Sequence, residues 1–162
     1  MSKTKKSIEE STYQTGQFKY IGNAEITHLN TRKEGAEESK ELAIDVKLKI
    51  KTSNESLKYF QSEQLIPALW NDIGAIRNIK LDPIGMTYEL RSYVMEMAGN
   101  TFYDVKLKKF SFEPIDGNIV AITFQASMAP RSNEVAQIAE YLQDEVHVNL
   151  EPSNAELALE AA

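Results

Sequence analysis

The sequence predicts a mainly β protein of the α+β class: an antiparallel sheet or a two-layer β-sandwich with two or three short covering helices. A partly open β-barrel is the alternative architecture. One observation is a strict apolar alternation with charged residues between its members, formed by Leu42, Ile44, Val46, Leu48 and Ile50. A second is a pair of apolar alternations that flank the turn-forming segment 114–118, which is typical of a β-hairpin. Segments with helical spacing are few and short.

The hairpin between residues 101 and 128 is expected to contain a β-bulge. On the strand after the turn the apolar residues alternate without error, whereas on the preceding strand Leu107 and Phe110 are three positions apart. Both strands can face one core only if one extra residue is absorbed at Lys108 and Lys109.

The first half of the chain is expected to hold short strands, a loop and a capped helix. One or two short strands are predicted between residues 18 and 28, and a loop between 31 and 39. The Ser-Asn pair at 53–54 supplies an N-cap for a short helix. The apolar cluster around Trp70 is interpreted as a plug over one end of the sheet, and a ligand slot is the alternative.

The second half contains two further reversals, a helix and a last strand. A hairpin is predicted to turn at 82–85, and the chain turns again at 99–100. After Pro130 a helix is predicted, with an apolar stripe formed by Val135, Ile138, Ala139 and Leu142. Residues 146–150 return to period two and predict a strand that Pro152 ends.

Length and composition predict one domain. Residues 16–151 are assigned to a single β-rich domain, 1–15 to a mobile polar arm, and 152–162 to an acidic C-terminal tail or short helix. The chain has no cysteine, which excludes disulfides and thiolate chemistry. It also has no apolar run of the roughly 18 to 20 residues that cross a bilayer. We therefore expect a cytoplasmic protein with no membrane association.

The net charge of −6 is unevenly distributed along the chain. From Ser132 to the end there is no Lys or Arg. The first 131 residues carry 18 bases against 17 acids. An acidic end on a near-neutral body indicates either a solvated face or a surface that docks to a basic protein partner. The candidate partner-binding residues are the seven acids of that segment: Glu134, Glu140, Asp144, Glu145, Glu151, Glu156 and Glu160.

The sequence contains no constellation typical of catalysis. There are two histidines, His28 and His147, and no nucleophile motif accompanies them. The seven glycines never cluster into a phosphate loop, so neither a nucleotide cofactor nor any other cofactor is predicted. We therefore expect a protein that is not an enzyme. An unrecognised acidic metal site is the alternative, with candidates Asp45, Glu89, Glu96 and Asp104.

Two groups of lysines predict nucleic-acid binding. Alternate residues of one predicted strand carry the first group, and the central hairpin carries the second with an aromatic residue nearby. Such a basic sheet face can hold a single strand through phosphate charge and base stacking, although exposed lysines also keep sheet edges soluble. The candidate residues are Lys47, Lys49, Lys51, Lys106, Lys108 and Tyr103.

Several of these stretches together resemble a family of small uncharacterised early proteins of tailed bacteriophages and prophages. The likeness runs through residues 26–35, 42–48 and 53–70, then the Phe110 and Phe112 run and the strand 145–148, and it covers most of residues 24–151. Genes of such proteins often lie beside recombination genes. The resemblance implies a setting in DNA metabolism and carries over no catalytic residue.

The residues and the resemblance together favour a non-enzymatic phage accessory protein that acts in DNA recombination or replication by binding. Its expected partner is a phage or host DNA-handling protein, with single-stranded DNA as a further candidate ligand. The alternative is an inhibitor of a host defence nuclease whose acidic surface imitates DNA. Unpaired edge strands are compatible with a homo-oligomer.

Overall fold

A computed structural model describes residues 18–37, 40–77 and 82–153. The predicted polar arm at 1–15 lies outside the described residues, as do Glu156 and Glu160. The strands are β1 (Tyr20–Glu34), β2 (Glu41–Ser53), β3 (Ile84–Met86), β4 (Leu90–Met97), β5 (Asn100–Ile115), β6 (Ile119–Met128) and β7 (Glu145–Pro152). The helical segments are a 3₁₀ helix (Asn54–Phe60), α1 (Leu65–Leu69) and α2 (Ser132–Ala139).

Six antiparallel strands close into a barrel. Around the barrel their order is β5, β4, β7, β1, β2 and β6, and β6 pairs back onto β5. Closure is possible because β5 is long: its first half pairs with β4 and its second half with β6. The short β3 extends the β4 edge of β5. The prediction of a mainly antiparallel β protein is confirmed, and the architecture is the barrel alternative in closed form.

The barrel interior is filled by the apolar residues of the alternating strands. On β2, Ile44, Val46, Leu48 and Ile50 are at most 1% exposed. Aromatic rings fill the centre, with ring centroids 4.8 Å apart for Phe60 and Phe110 and 5.6 Å apart for Phe110 and Phe124. Each such burial stabilises the fold by about 1.5–3 kcal/mol. With the interior occupied, the polar residues of the same strands point outward.

Helical segments cover both ends of the barrel. At the Asn100 end of β5, α2 contributes the buried Ile138, and the Asn100 side chain contacts Gln137 at 2.5 Å. At the Ile115 end, the indole N–H of Trp70 donates to the carbonyl of Ile115 at 2.9 Å. Trp70 is 2% exposed, so it is the predicted apolar plug. Among the described residues, no helix combines the length and apolar character that crossing a membrane requires.

The structure corrects three local predictions. Residues 20–34 form one long strand instead of short strands and a loop from residue 31, because β7 pairs with its first part and β2 with its second. The predicted hairpin turn at 82–85 is wrong, because Ile84–Met86 is itself a strand on β5. In the predicted stripe of α2, Ala139 and Leu142 are exposed, because the helix ends at Ala139 and the chain then turns toward β1.

Candidate nucleic-acid interface

The two predicted lysine groups lie on one outer face of the barrel, on either side of β6. On one edge of β6, Lys47, Lys49 and Lys51 of β2 pair with Gln125, Thr123 and Ala121. On the other edge, Lys106 and Lys108 of β5 pair with Ser127 and Gln125. Neighbouring strands are about 4.8 Å apart, so the two lysine rows are separated by about 10 Å. We call this surface the lysine face and define it as Lys47, Lys49, Lys51, Lys106, Lys108 and Lys109.

One row of residues crosses four strands at the centre of the lysine face. His28 of β1 pairs with Lys47, Lys47 pairs with Gln125, and Gln125 pairs with Lys108. All four side chains are exposed or half-buried on the outer surface. In the sequence His28 stands apart from other functional candidates, whereas the structure places it in line with two lysines.

A β-bulge bounds this row at each end. On β5, the two residues between Lys108 and Ser111 oppose one residue on β6, and Lys109 adopts a left-handed φ of 58°. The predicted bulge at Lys108 and Lys109 is therefore confirmed. On β1, the partners of Ile26 and His28 are consecutive residues of β2, so Thr27 between them is the extra residue. The sequence carried a signal for this second bulge, because Ile26 and Leu29 are three positions apart.

Each bulge turns two consecutive side chains outward. Between the buried Leu107 and Phe110, both Lys108 and Lys109 lie on the outer surface. A regular strand would point one of them into the core. The bulge therefore places two lysines of β5 on the outer surface at this level of the barrel, where a regular strand would place one.

The row lies in a surface pocket of about 320 Å³. Its lining consists of polar and charged side chains from β1, β2, β5 and β6. They are His28, Asn30, Asp45, Lys47, Lys108, Lys109 and Gln125. Donors therefore predominate over acceptors around the pocket.

Asp45 is the only acid in this lining, and it is held by other groups. Arg32 donates to both of its carboxylate oxygens, at 3.0 and 3.2 Å, and the Ser127 hydroxyl donates at 2.7 Å. Burial acts to raise the pKa of Asp45, but these hydrogen bonds and the charges of Arg32 and Lys108 outweigh it, so the pKa lies below its ordinary value. The ionised carboxylate is thus neutralised locally and leaves the lysines to determine the sign of the pocket.

The other candidate nucleic-acid residues lie around the pocket and not in it. Lys49 and Lys51 continue along β2 toward the 3₁₀ helix. Lys106 forms an ion pair with Glu89 at 3.7 Å. Tyr103 is 71% exposed on β5, where its ring is available for stacking beyond Lys106.

The predicted partner-binding acids have different environments. Glu134 accepts a hydrogen bond from the backbone N–H of Arg131 at 2.7 Å and so caps α2. Glu140, Asp144 and Glu145 are exposed between α2 and the start of β7, while Glu151 is half-buried near the end of β7.

Two acids that sequence reasoning did not assign to this group extend the acidic surface. Glu25 on β1 lies directly opposite Glu145, and Glu96 lines a cavity of about 500 Å³ together with Glu145, Tyr141 and His147. Like charges directly opposite on neighbouring strands destabilise a sheet, so fold stability does not explain this pair. We define the acidic patch as Glu25, Glu96, Asp144 and Glu145. It is centred on β7, three strands from β6 in either direction.

Two of the four candidates for an acidic metal site form ion pairs with arginines. Asp45 is paired with Arg32, and Glu89 accepts from Arg91 at 3.2 Å. Within the described ranges, no three His, Asp or Glu residues converge in a way that would hold a metal ion.

No family model, curated protein or solved structure matches this chain. The geometry and charge of the barrel surface are therefore the basis for a function.

Proposed function

We propose that this chain is a non-enzymatic accessory binding protein of DNA recombination or replication, which binds single-stranded nucleic acid on the lysine face. The observation that carries the proposal is that lysines from two distant strands flank β6 on one outer face. The resemblance to early phage and prophage proteins supports the setting in DNA metabolism.

The composition of the lysine face suits a charged, flexible polymer. Lysine ammonium groups attract phosphates and displace their counterions, which gives affinity without sequence preference. Between the lysines, β6 presents the polar side chains of Thr123 and Gln125, which can hydrogen-bond to sugar or phosphate oxygens. A surface of this kind contacts the sugar-phosphate backbone of a strand and does not recognise the base sequence.

The acidic patch gives the second half of the proposal, a basic protein partner. Glu96 and Glu145 line the same cavity, and the patch is centred on the strand opposite β6. A partner docked there leaves the lysine face free for a nucleic-acid strand. The protein would thus connect a DNA-handling protein of phage or host to the strand on which that protein acts.

Salt-dependent binding of a single-stranded oligonucleotide tests the lysine face. Replacing Lys47, Lys49 and Lys51 by Glu should weaken binding and reduce the slope of log K against log salt by about 0.7 for each phosphate that is no longer neutralised. The matched control replaces Lys19, Lys40 and Lys58 by Glu, which makes the same charge change at exposed lysines elsewhere. Equal weakening in both variants would show that net charge alone is responsible and would refute the assignment.

Co-purification with and without nuclease tests the acidic patch. We expect a basic DNA-handling partner that survives nuclease treatment and is absent with Glu96→Lys/Glu145→Lys, while oligonucleotide binding by this variant persists. Because Glu145→Lys also removes the repulsion with Glu25, the variant should be at least as stable as the native protein. Retention of the partner by the folded variant would contradict this part of the proposal.

The acidic patch also favours a second candidate function, inhibition of a host defence nuclease. Four carboxylates near one end of β7 could occupy the phosphate-binding groove of such an enzyme. This function predicts that the protein competes with DNA for the nuclease and that Glu96→Lys/Glu145→Lys no longer competes. If the nuclease binds DNA equally well in the presence of saturating amounts of this protein, the inhibitor function is excluded.

A further inference from the structure

We propose that the pocket between the two β-bulges binds a nucleoside monophosphate unit, with its phosphate monoester between Lys47, Lys108 and Lys109. This unit is either a free mononucleotide or the terminal nucleotide of a strand. The inference deepens the proposed function and rests on it, because it assigns a specific subsite within the lysine face.

The charge of the lining matches a phosphate monoester. Three lysines and one aspartate line the pocket, and these four side chains give a net charge of +2. A phosphate monoester carries about −1.5 to −2 at pH 7, whereas each internal phosphodiester of a strand carries −1. Since Asp45 is already compensated by Arg32 and Ser127, it does not repel the ligand at full strength. The pocket therefore favours a terminal phosphate over an internal one.

The size of the pocket indicates more than an inorganic ion. Its volume of about 320 Å³ equals the share of about ten water molecules, at roughly 30 Å³ each. This volume lies at the lower end of the range of about 300–1,000 Å³ found for small-molecule sites. A phosphate alone would leave most of the pocket to solvent, so the remaining space can hold the attached sugar and base.

The uncharged side chains of the pocket suit that attached nucleoside. Asn30 and Gln125 each offer an amide donor and an amide acceptor, which match sugar hydroxyls and base edges. His28 is exposed at the β1 end of the row, where its ring can stack on a base. The phosphate-binding lysines and these groups share one pocket, so a single ligand can contact both sets.

The paired bulges distinguish this pocket from a general basic surface. One bulge places Lys109 beside Lys108, and the other places His28 beside Lys47. Lys109 adopts a left-handed backbone conformation that costs a non-glycine residue about 1–2 kcal/mol. Bulges that re-aim side chains in this way are frequent next to binding and active sites.

Binding of defined small ligands to the full chain tests the inference. The probes are adenosine monophosphate, adenosine, inorganic phosphate, and one oligonucleotide prepared with a terminal phosphate or a terminal hydroxyl. We expect adenosine monophosphate to bind at least tenfold tighter than adenosine or inorganic phosphate, or the phosphate-ended strand to bind at least tenfold tighter than the hydroxyl-ended strand. Lys108→Gln/Lys109→Gln should abolish this preference. The control Lys49→Gln/Lys51→Gln, on the same face but outside the pocket, should weaken the binding of both strands alike and so retain the preference.

The outcomes separate this inference from the proposed function and identify the source of the ligand. Preference for the free mononucleotide assigns a metabolite site, and preference for the phosphate-ended strand assigns a strand-end site; both support the pocket. Equal binding of phosphate-ended and hydroxyl-ended strands, with no mononucleotide binding, overturns the pocket and leaves the lysine face as a strand-binding surface. Mononucleotide binding without any oligonucleotide binding supports the pocket and refutes the proposed function.

The variant Lys109→Gly tests the role of this lysine, because glycine removes the side chain and tolerates the left-handed backbone. It should also lose the preference for the terminal phosphate. If the preference persists, Lys109 has no part in the site.

Discussion

Lys47 and Lys108 both pair with Gln125, from opposite edges of β6. Two cations thus face each other across one uncharged residue at the centre of the lysine face. Mutual repulsion of these ammonium groups opposes folding slightly, while their combined charge attracts an anion. The residue between them therefore controls stability and binding in opposite directions.

Replacing Gln125 by Glu should stabilise the fold and weaken binding. The new carboxylate forms a favourable cross-strand pair with each lysine, so we expect the free energy of unfolding to rise by about 0.5–1 kcal/mol in a urea titration. Affinity for a single-stranded oligonucleotide should fall, because the same carboxylate repels phosphate. The control is Thr123→Glu, which has Lys49 on one side and the uncharged Ser111 on the other. An equal loss of affinity in both variants would show that the pair around Gln125 has no special role.

The carboxylate of Asp45 should contribute stability that depends on pH. Its pKa is below the ordinary value in the folded protein, so the contribution is complete above about pH 3.9 and is lost as pH falls through the folded pKa. We expect Asp45→Asn to lower the free energy of unfolding by about 1 kcal/mol at pH 7, because the pair with Arg32 is only partly buried. Near pH 3 the difference in the free energy of unfolding between Asp45→Asn and the native protein should be smaller.

Urea unfolding at the two pH values measures this difference. Asp72→Asn is the matched control, because Asp72 is exposed in a turn and should change stability by less than about 0.5 kcal/mol. A destabilisation by Asp45→Asn that is the same at both pH values would show that packing, and not the ionised pair, is responsible.

Features that depend on nearby residues could be predicted from the sequence. The alternation of β2, the bulge at Lys109 and the N-cap Ser53, whose hydroxyl accepts the backbone N–H of Glu55 at 3.2 Å, all follow from spacing within a few residues. Closure of the barrel could not be predicted this way. It depends on β1 pairing with β7 and β2 with β6, strands that are remote in sequence, so no local pattern determines these pairings. The β5–β6 pairing, in contrast, is the hairpin that the sequence predicts.

The same distinction between local and long-range features applies to the candidate site. Lys47 and Lys108 were each assigned from local spacing, because polar residues of alternating strands must face water. Their meeting across Gln125 required the pairing of β6 with both β2 and β5. Glu25 was missed as a site residue because its partner Glu145 lies on a strand that is remote in sequence. His28 was missed because the row that it begins continues from Lys47 onto β6 and β5, which are remote from β1 in sequence.

The turn between β4 and β5 should depend on the glycine at its second position. Ala98 and Gly99 both have left-handed φ angles, 53° and 78°, as a two-residue hairpin turn requires. A Cβ added at Gly99 would meet nothing within 4 Å, so any loss of stability in Gly99→Ala comes from the backbone alone. We expect that loss to be about 1–2 kcal/mol.

Gly85→Ala is the matched control for this substitution. Gly85 has the same open space around an added Cβ and no left-handed φ, so alanine there should be neutral or slightly stabilising. Thermal or urea unfolding of the two variants gives the comparison. Equal stability of Gly99→Ala and Gly85→Ala would mean that the turn relaxes to another conformation at no cost.

The hydroxyl of Tyr93 should stabilise the barrel until alkaline pH. It is buried and donates to the carbonyl of Phe18 at 2.9 Å, so Tyr93→Phe leaves that acceptor without its partner and should cost about 1–3 kcal/mol at pH 8. Burial raises the pKa of Tyr93 above its ordinary value of about 10. Its contribution is therefore complete below about pH 10 and is lost as pH rises further toward the folded pKa, because the unfolded chain ionises first.

Urea unfolding at pH 8 and near pH 11 separates the hydrogen bond from simple packing. The stability gap between the native protein and Tyr93→Phe should narrow at the higher pH. Both proteins should lose some stability there, because burial also raises the pKa values of Tyr20 and Tyr88. Tyr103→Phe, at a ring that is 71% exposed, should change stability at pH 8 by less than about 0.5 kcal/mol. If the difference in the free energy of unfolding between the native protein and Tyr93→Phe is the same at both pH values, the fold does not hold the hydroxyl protonated. The hydroxyl then contributes by packing alone.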